Sequence, residues 1–140
     1  MTATIELDED YVPNDSEPFM NDRQREFFTA KLMEWKRELL KETQGTVEAL
    51  QNETRSVPDL ADRASEEADR ALELRTRDRQ RKLIAKIDSA LRRIETDDYG
   101  YCDVTGDPIS LKRLIARPTA TMSLEAQEKH ERRERVYRDD

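Results

Sequence analysis

Two carboxylates, Asp59 and Asp62, stand three residues apart directly after Pro58. Residues at that spacing share a face once a helix begins. The pair can therefore concentrate negative charge at one place. It also suits a plain structural task, because an acid at a helix start satisfies unpaired N–H groups and favours the helix dipole. A second cluster, Arg75, Arg77, Arg79, Arg81 and Lys82, falls within eight residues. Its bland reading is a solvated helix face with ion pairs to Glu73 and Asp78. Its sharper reading is an electropositive surface for an acidic partner. Metal ligands are scarce: Cys102 is the one cysteine and His130 the one histidine. Two ligands do not make a closed structural site, and one cysteine excludes an internal disulfide. No histidine-based dyad and no Gly-rich phosphate loop is present, so an enzyme is not expected.

The elements that must position these residues follow from composition and spacing. The chain has 140 residues, of which 41% are charged and 35% hydrophobic, with 3 Gly and 5 Pro. That is little apolar material for a large core, and it suits long exposed helices. Residues 1–20 carry Glu6, Asp8, Glu9, Asp10, Asp15 and Glu17 with no Lys or Arg, which predicts an extended, mostly solvated acidic leader. Residues 21–54 read as a helix, capped by Asn21 or Asp22, with Phe28, Leu32, Trp35 and Leu39 on one stripe. Ser56 and Pro58 break the pattern. Residues 60–96 read as a second helix with Leu83, Ile84, Ile87, Leu91 and Ile94 strongly patterned. A short connection makes such helices antiparallel, giving a hairpin over 21–96 with its tip near 55–64. At about 1.5 Å per residue the arm reaches on the order of 45 Å.

Residues 97–140 change character, with Gly100, Gly106, Pro108 and Pro118 before a final charged helix over 122–138. Tyr99, Tyr101, Ile109, Leu111, Leu114, Ile115, Met122 and Leu124 are available as a small core. The net charge of −7 argues against sequence-specific DNA binding. No apolar run reaches the roughly 20 residues of a membrane span, and no signal peptide is evident, so a cytoplasmic location is expected.

Several strings together carry a resemblance. They are Pro58-Asp59-Leu60-Ala61-Asp62-Arg63-Ala64, the run from Leu72 to Ile84, Tyr99-Gly100-Tyr101-Cys102, and Arg117-Pro118-Thr119-Ala120. In order and spacing, across roughly residues 19–130, the chain resembles the DksA family of transcription factors. The resemblance implies a mainly all-α fold: a coiled-coil hairpin, a zinc-finger-like end and a C-terminal helix. It implies insertion into the secondary channel of bacterial RNA polymerase, with a D-x-x-D-x-A tip carried here by Asp59, Asp62 and Ala64. It implies that Arg75 and Arg79 meet the channel rim. It implies the alarmone ppGpp as co-regulator, touching Leu83, Lys86 and Arg117, while a further basic family position is Gln127 here. Stringent control of initiation follows from the same resemblance, and a monomer is expected.

The departure is the metal site. The family arrangement of four cysteines falls on Cys102, Thr105, Ser123 and Ala126. One thiol, two hydroxyls and a methyl are not a zinc set. The expectation is a degenerate, metal-free finger held by packing. Two other function classes stay open: a secondary-channel factor promoting transcript cleavage, and a coiled-coil adaptor or oligomerisation module.

Overall fold

The structure is a computed structural model that describes residue 7, residues 9–53 and residues 60–138. It holds four helices: α1 (Asp22–Glu53), α2 (Leu60–Glu95), α3 (Leu111–Ala116) and α4 (Leu124–Arg138). Among the described residues there is no strand, only an isolated antiparallel bridge between Tyr101 and Pro108. No helix among them is long and apolar enough to cross a membrane. The chain resolves into two units, one of residues 1–32 with 89–140 and one of residues 33–88.

Local chemistry sets the helix ends. The side-chain oxygen of Asn21 accepts the Gln24 N–H at 2.9 Å and caps α1. At the other end of α2, Asp97 adopts φ +62°. The Asp98 N–H then reaches the Arg93 carbonyl at 2.9 Å and the Asp97 N–H the Ile94 carbonyl at 3.3 Å. This is the paired closure of a Schellman motif, with aspartate in the place glycine usually takes. Ser110 and Ser123 cap α3 and α4, accepting the N–H of Arg113 and Ala126 at 3.2 Å each.

In the unit of residues 33–88 the two helices run antiparallel. Lys36 pairs with Asp88 at 2.7 Å, and Thr43 donates to Gln80 at 3.1 Å. Leu39 and Ile87 are buried, whereas Trp35, Leu83 and Ile84 are half-buried. The seam then turns polar: Thr43, Gln80, Thr76 and Glu73 occupy half-buried positions. Gln80 also donates to Glu42 at 3.1 Å.

In the other unit the core is Phe28, Leu32, Ile94, Tyr99, Ile109, Leu111 and Leu114. Full burial of such side chains is worth about 1.5–3 kcal/mol each. Of the expected core, Tyr101 and Leu124 lie on the outside instead. Among the α4 residues whose burial is described, Ala126 is the buried one, and Leu124 sits about 200° round the helix from it. The Tyr99 hydroxyl donates to the Pro118 carbonyl at 2.7 Å, and burial pushes its pKa up. Lys31 Nζ donates to the Ile115 carbonyl at 2.6 Å, placing a cation at the end of α3.

The leader differs from the solvated segment expected of it. Glu9, Asp10 and Asp15 are exposed, but Pro13 is buried and Tyr11, Glu17, Phe19 and Met20 are half-buried. Gln24 is fully buried and holds this stretch in place. Its amide nitrogen donates to the Asn14 carbonyl at 3.3 Å and to Glu17 at 3.2 Å, and its oxygen accepts the Met20 N–H at 2.8 Å. Tyr11 donates to Glu17 at 2.5 Å under the Arg23 guanidinium, which sits 4.3 Å from the ring centroid. An acidic side chain can be drawn in when each of its oxygens finds a donor.

Candidate functional site

The candidate residues on α2 share one stripe. An α-helix turns about 100° per residue, so steps of four, four and three keep to one side. Ala64, Ala68, Leu72, Arg75, Arg79, Leu83 and Lys86 follow that spacing without a break. Leu83 is half-buried beside the seam and the other six are exposed. The tip candidate Ala64, the rim candidates Arg75 and Arg79, and the ligand candidates Leu83 and Lys86 therefore form one continuous face. Ala68 and Leu72, the latter opening the Leu72 to Ile84 string, complete it, a place that the motifs alone do not assign them. The signal that finds them is the spacing carried across from Ala64 to Arg75.

Charge is segregated along the same helix. From Asp59 to Glu73 the chain carries Asp59, Asp62, Glu66, Glu67, Asp69 and Glu73 against Arg63 and Arg70. From Leu74 to Lys86 it carries Arg75, Arg77, Arg79, Arg81, Lys82 and Lys86 against Asp78. No carboxylate falls on the stripe itself. Among the described residues no ion pair involves Arg75, Arg79, Lys82 or Lys86. Arg75 Nε donates to the Ala71 carbonyl at 3.3 Å, which fixes its stem against its own helix. The internal pairing of these cations with Glu73 and Asp78 that the bland reading supposed does not occur among the described residues.

Asp59 lies outside the described residues, and Asp62 falls in the first turn of α2. Arg117 belongs to the other unit, where it is exposed at the end of α3. Gln127 is half-buried on α4 and donates to Glu131 at 3.2 Å.

The four finger positions also come together. Cys102 is buried, its N–H donates to the Asp107 carbonyl at 2.8 Å, and its carbonyl accepts the Gly106 N–H at 2.8 Å. Burial pushes the thiol up. Hydrogen bonds from the Thr105 hydroxyl and from the N–H groups of Ser123, Thr105 and Val104 together outweigh it, bringing the thiol down to about 6. Ala126 is tied to Ser123 through the helix cap and is buried. His130 lies elsewhere on α4, paired with Glu134 at 3.2 Å on the surface. No group of three or more Cys, His, Asp or Glu with metal-binding geometry occurs among the described residues.

Two family models match the chain. One, described as the N-terminal domain of the DnaK suppressor protein DksA, matches residues 24–94. The other, described as the prokaryotic dksA/traR C4-type zinc finger, matches residues 97–132. An RNA polymerase-binding transcription factor DksA of Caulobacter vibrioides is 67% identical over 140 residues, covering 99% of both chains. The protein of that name from Escherichia coli is 41% identical over 91% of this chain and 84% of its own. The solved structure of transcription factor DksA2 from Pseudomonas aeruginosa superposes with a TM-score of 0.80 at 41% identity, covering 88% of this chain and 93% of that one. A C4-type finger needs four thiolates. Cys102, Thr105, Ser123 and Ala126 supply one thiol, which already takes its hydrogen bonds from hydroxyl and backbone donors, so this donor set does not fit the metal. With models matching 24–94 and 97–132 and a relative aligned over 99% of its length, the chain belongs to the DksA family.

Proposed function

We propose that this protein binds bacterial RNA polymerase through its secondary channel and, together with ppGpp, modulates transcription initiation without a zinc ion of its own. The observation that carries the reading is the carboxylate-free stripe running from Ala64 to Lys86, which passes through an acidic segment in its first half and carries Arg75, Arg79 and Lys86 without ion pairs in its second. Relatives across most of the chain bear the name RNA polymerase-binding transcription factor, which supports the same partner.

The division of labour follows from charge. Asp59 and Asp62 act at the tip, bringing two negative charges to the polymerase active centre, with Ala64 leaving room beside them. Arg75 and Arg79 meet an acidic rim, where complementary charge speeds encounter and fixes register. Leu83, Lys86 and Arg117 receive ppGpp. The cations suit its phosphates, and arginine can bond a phosphate in pairs. With Gln127 at a further position that is basic in the family, the coupling to ppGpp rests on Lys86 and Arg117. The factor performs no chemistry. It biases polymerase between conformations, and each tenfold shift needs only about 1.4 kcal/mol of differential binding. It acts as a cytoplasmic monomer and makes no sequence-specific DNA contact. Its finger-like end keeps its shape through the Tyr99–Pro118 and Lys31–Ile115 hydrogen bonds and the hydrogen-bonded Cys102.

The test is multi-round transcription from a ribosomal RNA promoter in EDTA buffer, with and without ppGpp, using the native chain and the Asp59→Asn, Asp62→Asn double variant. Inhibition that ppGpp deepens and the double variant lacks is the expected result. Binding without any effect on initiation, together with stimulated cleavage in a backtracked complex, would replace it with the cleavage-factor reading. No binding at all would leave an adaptor.

A further inference from the structure

Six cations, five of them exposed and Arg77 half-buried, lie from Arg75 to Lys86, so a basic face alone says little about where a partner sits. The apolar residues are more discriminating. Leu72 is 58% exposed and Leu74 is 47% exposed. A single exposed leucine is ordinary on any protein surface. The two here differ in surroundings. Leu74 is two residues on from Leu72, about 200° round the helix, on the side that carries Glu67, Asp78 and Arg81. Leu72 sits on the carboxylate-free stripe, three residues before Arg75 and four after Ala68.

That stripe has a gradient of size. Ala64 and Ala68 are both exposed and both small, and Leu72 follows them before the first cation. Small residues let a partner's backbone approach closely, and a large apolar side chain beside them can fill a pocket. An apolar centre next to charges that are paired only on docking is the anatomy of an interface with an energetic anchor. A purely solvated helix face has no need to keep carboxylates off one side for 23 residues while placing them on every other side.

We propose that Leu72 is the apolar anchor of this face, that Ala68 is the point of close approach, and that the occupant is an acidic patch of RNA polymerase that pairs an apolar pocket with carboxylates. Charge complementarity to Arg75 and Arg79 selects that chemistry over a basic surface, and the exposed apolar side chain of Leu72 beside them selects a pocketed protein surface over a phosphate backbone. The inference rests on the polymerase reading above and adds the residues that hold the arm at depth.

The experiment measures binding of the full-length chain to purified bacterial RNA polymerase by fluorescence anisotropy. It compares the native chain with Leu72→Ala, Leu72→Gln, Ala68→Leu and Leu74→Ala, with helix content followed by circular dichroism. Leu72→Ala and Leu72→Gln are expected to weaken binding about tenfold or more, because an anchor loses its buried area and glutamine keeps length but not apolar character. Ala68→Leu is expected to weaken it by a similar factor through a clash. Leu74→Ala, equal in chemistry on the opposite side, is expected to stay within about twofold of native. All four are expected to keep native helix content, since the mutated side chains are exposed. Native-like binding by both Leu72 variants overturns the inference while leaving the polymerase reading intact. So does an equal loss in Leu74→Ala, which would mark a nonspecific effect. Failure of the native chain itself to bind overturns the polymerase reading and this inference with it.

Discussion

Gly100 adopts φ +93°, and a Cβ added there would stand 3.1 Å from Phe19 Cζ and 3.3 Å from Met20. Gly45 lies in α1 with nothing within 4 Å of such a Cβ. The same substitution should therefore have opposite signs at the two positions. Gly100→Ala is expected to destabilise by about 1–3 kcal/mol through backbone strain and collision. Gly45→Ala is expected to stabilise by about 0.5–1 kcal/mol through helix propensity. Urea unfolding of both variants checks this. The leader makes a second prediction at this scale. Its hydrogen bond with Tyr11, then Gln24 and Arg23, holds Glu17 below the ordinary 4.5. Burial, then the bond and charge of Glu17, pushes Tyr11 up to about 12. A depressed carboxylate stabilises the fold above its unfolded value and loses that contribution as pH falls through the folded one. A raised phenol contributes fully below 10 and loses its contribution as pH rises from 10 towards 12. Thermal midpoints should therefore drop below about pH 4.5 and again above about pH 10. Tyr11→Phe should flatten both shoulders, and unchanged shoulders would count against the network. None of this was legible in the sequence. Six acids without a cation read as solvated, because Gln24, seven residues beyond Glu17, is an inconspicuous polar residue until it is buried.

The long helices were legible almost to their ends. Expected bounds of 21–54 and 60–96 stand beside Asp22–Glu53 and Leu60–Glu95. Asn21 and Pro58 are strong local signals, and the 3.6-residue pattern persists over many turns. The helix α3 was not legible, since six residues are too few to show a period and only Ser110 marks it. The burial of Leu124 was misjudged for a related reason: its helix buries a small side chain, Ala126, that no hydrophobic pattern distinguishes. Within residues 33–88 the polar seam makes the element-scale prediction. Replacing Thr43 and Gln80 together, Thr43→Val with Gln80→Leu, removes two hydrogen-bonding groups at once and leaves exposed Glu42 to water. Exchanging both partners of a bond for apolar groups is neutral to stabilising, by up to about 1–2 kcal/mol here. Amide exchange along 33–45 and 76–88 is expected to slow. Faster exchange would show that the polar seam is the better-packed arrangement.

At the scale of the whole molecule, family membership was legible because the tip, arm and end strings occur together in one order. The roles proposed for individual residues rest on the resemblance, which treats tip, rim and ligand positions as separate. The helix spacing joins them into one face. The finger's donor set carries the prediction here. Stability should be indifferent to chelation, so ellipticity at 222 nm and the thermal midpoint should not change when EDTA is added. A large loss of helix would mean that another set of ligands holds a metal. The segregated charge of α2 has a practical consequence as well. The whole chain has a pI near 4.9 and a net charge of −7, which predicts retention on an anion exchanger at neutral pH. Local fields govern adsorption as much as the total does. The cationic collar from Arg75 to Lys86 presents unpaired guanidinium and ammonium groups at the surface. This acidic protein should therefore also be held by heparin or a phosphate-bearing resin. Its behaviour on a column then reflects which side of one helix faces the matrix.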